Sequence, residues 1–142
     1  MRESTAQKLL NKVQNDYDQI AAEFSDTRKY SWEEFHFFKE YLFPGAKIID
    51  LGCGNGRLLN YLYQNYLSNN FEYIGIDNST KLLHQATKLH PKNIFLLGDQ
   101  LQIPIVDNSV DIIFCVAAFH HLPSHTLRLD ALYEMHRVLK PG

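Results

Sequence analysis

Apolar residues recur along this chain in two periods, and the change between them divides it. From residue 6 to 24, Leu9, Leu10, Val13, Tyr17, Ile20, Ala21 and Phe24 fall on one stripe of a helix. Ser31 followed by Glu34 is a capping box, which predicts a second helix running through Leu42. After Pro44-Gly45 the pattern shortens. Ile48, Ile49 and Leu51 form an apolar run too short for a helix, and a helical period resumes at Leu58, Leu59 and Leu62. Three more β-rich runs follow, Phe71 to Asp77, Asn93 to Asp99 and Val110 to Val116, with a helix predicted from Leu127 to Lys140. The expected organisation is one domain overall, with N-terminal cap helices over residues 1–44 and an alternating βα core over residues 45–142.

Between the first run and its helix lie three glycines spaced two apart, Gly52, Gly54 and Gly56, with Cys53 and Asn55 between them. Such a turn lets a ligand press against main-chain atoms where a Cβ would clash; a turn without a ligand is the plainer reading. The second run ends on Asp77, and the intervening segment is long enough for one crossover helix, so the unit reads βαβ with both strand ends at one edge of a parallel sheet. Asp77 there can accept both hydroxyls of a ribose, or cap a helix that begins near Ser79. A dinucleotide fingerprint would place a third glycine where Arg57 stands. Asp50, just ahead of the loop, would repel a pyrophosphate and suit an ammonium group. S-adenosyl-L-methionine has a ribose, an amino group, a sulfonium and no phosphate.

Asp50-Leu51-Gly52-Cys53-Gly54-Asn55-Gly56 resembles motif I of the class I S-adenosylmethionine-dependent methyltransferases. Asp99 at the end of the third run, Ile103-Pro104, Asp107-Asn108-Ser109 and the fourth run continue the likeness in order. Tyr17 to Arg28, Trp32 and the run Ala118-Phe119-His120-His121-Leu122 with Arg128 resemble, more narrowly, the tRNA wobble-uridine carboxymethyl methyltransferases. The resemblance implies an α/β, Rossmann-like fold with sheet order 3-2-1-4 and the N-terminal helices as a lid. It further implies that Gly52, Cys53, Gly54, Gly56 and Asp50 cradle the cofactor, Asp77 and Asn78 meet its ribose, and Asp99, Gln100 and Leu101 its adenine. Ala117 would line the same site, Tyr17 and Arg28 would close over the methionine end, and His120 and His121 would face the acceptor. The family continues beyond a fourth strand, so strands 5–7 are expected to be missing here. The fourth would then be a bare edge prone to self-association, with methyl transfer weak or absent.

With 142 residues, 45% hydrophobic and 21% charged, the chain can bury one core. No apolar run reaches the roughly 18–20 residues that span a bilayer, and Met1 to Gln7 lacks the apolar segment of a signal peptide. Two cysteines, Cys53 and Cys115, make no disulfide framework, so a reduced, cytoplasmic protein with no membrane partner is expected. Net charge of −2 gives no global signal for nucleic acid. His120, His121 and His125 lack converging partners in sequence, and no metal is expected. The expected reaction is esterification of the carboxylate of 5-carboxymethyluridine in tRNA, which needs no base because a carboxylate is ionised at pH 7. A small-molecule acceptor, or a cofactor-binding subunit active only with a small activator partner, are the rival readings.

Overall fold

A computed structural model of the chain describes residues 3–27, 33–66 and 70–142. The elements are helix α1 (Glu3–Thr27), a 3₁₀ segment (Glu33–Tyr41), β1 (Lys47–Leu51), α2 (Arg57–Tyr66), β2 (Glu72–Asp77), α3 (Thr80–Leu89), β3 (Ile94–Leu97), β4 (Ile112–Phe114), a 3₁₀ turn (Phe119–His121) and α4 (His125–Val138). All four strands are parallel in the order β3-β2-β1-β4, as the resemblance implies.

The apolar runs are continuous because helices or loops cover both faces of the sheet. On one face Ile48 packs with Leu58, Leu59 and Leu62 of α2 and with Phe35, Tyr73 and Phe114. On the other, Ile49, Leu51, Ile74 and Ile76 meet Ile103, Val110 and Val138. Arg137 of α4 ties the loop before β4 to the helix, donating to Ile103 O at 3.0 Å and Ile105 O at 2.9 Å and pairing with Asp107 at 2.6 Å. That loop begins at the expected adenine-side residues, so the network steadies one rim of the sheet edge.

Four expectations need correction. The segment expected as a second helix is a 3₁₀ stretch of nine residues, and its capping residue Ser31 lies outside the described residues. The apolar stripe of α1 is only partly covered: Ala6 and Ala21 are buried, whereas Leu9 is 41% and Ile20 43% exposed. The fourth strand shrinks to three residues, because Val110 N bonds to Val138 O, and Lys140 N to Val110 O, beyond the end of α4. The final helix starts earlier than expected, at His125, where Ser124 accepts the Leu127 N–H at 3.2 Å.

Candidate active site

The C-terminal ends of β1 and β2 and the turn after β4 enclose a cavity of about 270 Å³, and α1 closes its open side. Gly52 adopts φ +83°, and both Gly52 N and Cys53 N donate to Ile76 O, at 2.7 and 3.0 Å. The turn is thereby pinned to the end of β2. A Cβ on Gly52 would stand 2.4 Å from Ala118 Cβ, so the absent side chain is what lets the two walls meet. Ala117, at φ +53°, makes the opposing bend.

Asp77 takes neither expected role alone. Oδ2 accepts from Gly54 N at 2.8 Å and Oδ1 from Ser79 N at 2.9 Å, while the cap of α3 is Ser79, whose hydroxyl oxygen accepts the Leu82 N–H. The carboxylate thus locks the glycine turn to the β2–α3 loop and still faces the cavity. Burial pushes its pKa above the usual carboxylate range, and the N–H groups of Ser79, Gly54 and Asn78 pull it back. Asp99 Oδ1 accepts from Leu101 N and Gln102 N, at 2.7 and 3.1 Å, and Gln100 Nε2 donates to Ala118 O at 3.0 Å.

Helix α1 docks as a lid through polar contacts. Gln14 donates to Asn78 O at 2.7 Å, Ser79 Oγ to Asp18 Oδ1 at 2.5 Å, and Tyr17 is hydrogen-bonded to His121 Nε2 at 2.9 Å. Burial and the neighbouring His120 hold the His121 pKa below the ordinary histidine value, so a neutral ring meets the tyrosine. The two histidine rings lie 4.0 Å apart.

Of the residues singled out in sequence, Tyr17, Gly52, Cys53, Gly54, Asp77, Asn78, Asp99, Gln100, Ala117, His120 and His121 line this one cavity. Leu101 lines an adjoining cavity of about 290 Å³ beneath α1. Gly56 stands behind the loop against His90, and Arg28 lies outside the described residues. Asp50 points away from the lining. It is 3% exposed, accepts the Tyr73 hydroxyl at 2.6 Å, and its pKa is pushed up to about 7, first by burial and then by Asp77, against the pull of that bond and of Arg57. Burial raises the Cys53 thiol well above its ordinary value, which fits a packing residue and not a nucleophile. Among the described residues no cluster of three or more His, Cys, Asp or Glu is arranged to hold a metal ion, and no helix is long and apolar enough to cross a membrane. Sequence reasoning missed Val13, Asn55 and Arg57 as lining residues. The signal for Arg57 was its place at the third position of the glycine motif, where it also stands 5.8 Å over the Phe35 ring.

A glycine turn, an acid at the tip of the next strand and a second acid one strand further out meet at the switch point of a parallel sheet, where open α/β sheets bind ligands. The methyltransferase domain model matches residues 48–142, and the chain belongs to that family. It is 36% identical over 126 residues, 89% of its length, to the tRNA (carboxymethyluridine(34)-5-O)-methyltransferase of Schizosaccharomyces pombe, of which it covers 51%. Over the same share it is 32% identical to the mouse tRNA (carboxymethyluridine(34)-5-O)-methyltransferase ALKBH8, of which it covers 18%. The chain therefore spans about half the length of these relatives, or less. Among solved structures it is similar to a SAM-dependent methyltransferase from Aquifex aeolicus, with TM-score 0.65 and 27% identity, over 96% of this chain and 68% of that one. It is also similar to the Haloferax volcanii complex of the Trm112 methyltransferase activator with its methyltransferase, with TM-score 0.68 and 27% identity, over 89% of this chain and 56% of that one.

Proposed function

We propose that the chain binds S-adenosyl-L-methionine in the main cavity and directs methyl transfer to the carboxylate of 5-carboxymethyluridine at the wobble position of tRNA. The observation that carries this reading is the convergence of the Gly52–Gly54 turn, Asp77 and Asp99 on one cavity. The residues fit the cofactor: the turn at Gly52 and Gly54, at φ +83° and +55°, brings main chain to the cavity wall, and the acids face the space where hydroxyls and an amino group need acceptors. In this reading Asp77 and Asn78 hold the ribose, Asp99, Gln100 and Leu101 the adenine, and Tyr17 and Arg28 the methionine end. When bound, the cofactor supplies an electrophilic methyl group on a sulfonium, so the chain's task is alignment and the exclusion of water. Lid helix α1 excludes water through the Tyr17–His121 bond, and His120 and His121 orient the acceptor. An ionised carboxylate gives up no proton, so in this reading the wall need supply no base.

The names of the relatives support the tRNA acceptor, and the Haloferax complex supports a small activator subunit as partner. Two free thiols support a reducing compartment such as the cytoplasm. The acidic balance of the chain favours, as a second reading, a small-molecule acceptor. Methyl-labelled cofactor incubated with carboxymethyl-bearing tRNA and with small carboxylic acids separates the two by where the label goes. In the cofactor site, Asp77→Ala should weaken binding by about 1–3 kcal/mol, the range for losing charge-assisted hydrogen bonds. Unchanged affinity by calorimetric titration, in a variant that stays folded, overturns the ribose assignment.

A further inference from the structure

On the outer side of the Ala117–Ala118 bend lies an open groove lined by Cys115, Ala117, Ala118, Phe119, His120 and Arg128. It shares Ala117, Ala118 and His120 with the main cavity, so a molecule in the groove and a ligand in the cavity meet across one turn of backbone. The turn is held in a costly form. Ala117 sits at φ +53°, a conformation that disfavours any residue with a Cβ and that persists only where its surroundings impose it. Strain of this kind at the junction of two concavities marks a place where geometry matters.

Arg128 is the cation of the groove, and no carboxylate lines it among the described residues. Its Nε donates to Leu122 O at 3.1 Å, which fixes the guanidinium plane against the loop that follows the 3₁₀ turn. Among the described residues, neither terminal nitrogen has a partner. A guanidinium whose Nε is spent on positioning and whose two Nη groups are open presents a planar fork that matches a carboxylate.

We infer that this groove is the acceptor subsite and that Arg128 grips an anionic carboxylate there, with His120 standing between it and the donor cavity. The inference rests on the methyl-transfer reading and adds to it a residue and a chemical selectivity. A carboxylate held bidentately by the fork accepts one N–H on each oxygen and keeps a second lone pair there, so one oxygen stays open to the methyl group. Once esterified, the group has lost its charge, so the contact that retains the substrate releases the product.

The test uses the full chain saturated with S-adenosylhomocysteine and titrated with 5-carboxymethyluridine, uridine and uridine 5′-monophosphate. The wild type should prefer 5-carboxymethyluridine over uridine. Arg128→Gln should weaken 5-carboxymethyluridine binding by roughly tenfold or more and leave uridine unchanged, as expected for loss of a bidentate charged pair. Arg128→Lys, which keeps the charge but not the fork, should fall between. Equal losses for both nucleosides would mean that Arg128 only supports the Leu122 loop, and would overturn the inference. A response to Arg128 confined to uridine 5′-monophosphate would make the anion a backbone phosphate and overturn the carboxylate assignment. A wild type that binds S-adenosylhomocysteine without telling the nucleosides apart refutes the groove alone. One that fails to bind S-adenosylhomocysteine refutes the methyl-transfer reading and the groove with it.

Discussion

Gly52→Val should abolish cofactor binding and remove about 3–5 kcal/mol of stability, a large part of what holds a domain of this size together. Two costs combine. At φ +83° a residue with a Cβ pays about 1–2 kcal/mol in backbone strain, more for a β-branched one. Overpacking adds about 1–3 kcal/mol, because the new Cβ would lie 2.4 Å from Ala118 Cβ. Neither wall can retreat easily. Gly52 N and Cys53 N are tied to Ile76 O, and Ala118 O is held by Gln100. Gly45 supplies the control, since it has φ +80° with nothing within 4 Å of where a Cβ would stand. Gly45→Ala should therefore cost only the backbone strain and leave cofactor affinity intact. Urea denaturation and calorimetric titration of both variants check this. A Gly52→Val protein with wild-type affinity and a nearly unchanged midpoint would mean that the turn yields and the close approach to Ala118 is incidental.

The parts of this site that were legible in sequence are those that local pattern controls. Ile48 to Leu51 and Tyr73 to Ile76 are buried on both faces, so their apolar runs read directly as parallel strands. The acid at the tip of a strand is likewise a local fact, and Asp77 and Asp99 both reach the cavity. What failed depends on packing between distant segments. An apolar stripe does not say how much of it will be covered, and α1 touches the core through Ala6 and Ala21 while Leu9 and Ile20 face outward. The direction of Asp50 follows from strand alternation: flanking Ile49 and Leu51 point to the α4 side, so the carboxylate points to the α2 side. Tyr73 is on that side because β1 and β2 pair in the register Ile48 to Tyr73, which the sequence of either strand alone does not contain. The contact of Gly52 with Ala118, and the opening of Arg128 beside His120, join residues from separate strands and helices in the same way.

Asp50→Asn should stabilise the protein, and by an amount that grows with pH. The unfolded carboxyl titrates near 3.8, whereas burial and the neighbouring Asp77 raise it to about 7 in the fold, against the pull of the Tyr73 hydroxyl and Arg57. Below the lower value both states hold the proton and the group contributes no pH dependence. Between the two values the unfolded chain releases a proton that the native state keeps, so native stability falls as pH rises. Each unit of separation is worth about 1.4 kcal/mol, which makes the deficit roughly 4 kcal/mol once the pH is above 7. Asparagine cannot ionise, and its side-chain oxygen can still accept the Tyr73 hydroxyl that Asp50 Oδ2 accepts at 2.6 Å. The two proteins should therefore have similar stability near pH 4 and diverge steadily to pH 8, with the variant ahead. Other groups titrate at the acid end: Asp111 beside Lys140 and Glu134 beside Arg137 are held below the usual carboxylate values, so they favour the fold as pH rises and are fully ionised in both states above the ordinary carboxylate range. Both proteins share those groups, so the difference between their urea-denaturation curves isolates Asp50. Parallel curves from pH 4 to 8 would show that this carboxylate ionises as freely in the fold as outside it. A rising difference would show an acid kept in a costly place two residues before the Gly52 turn, where Arg57 already pulls toward its charged form.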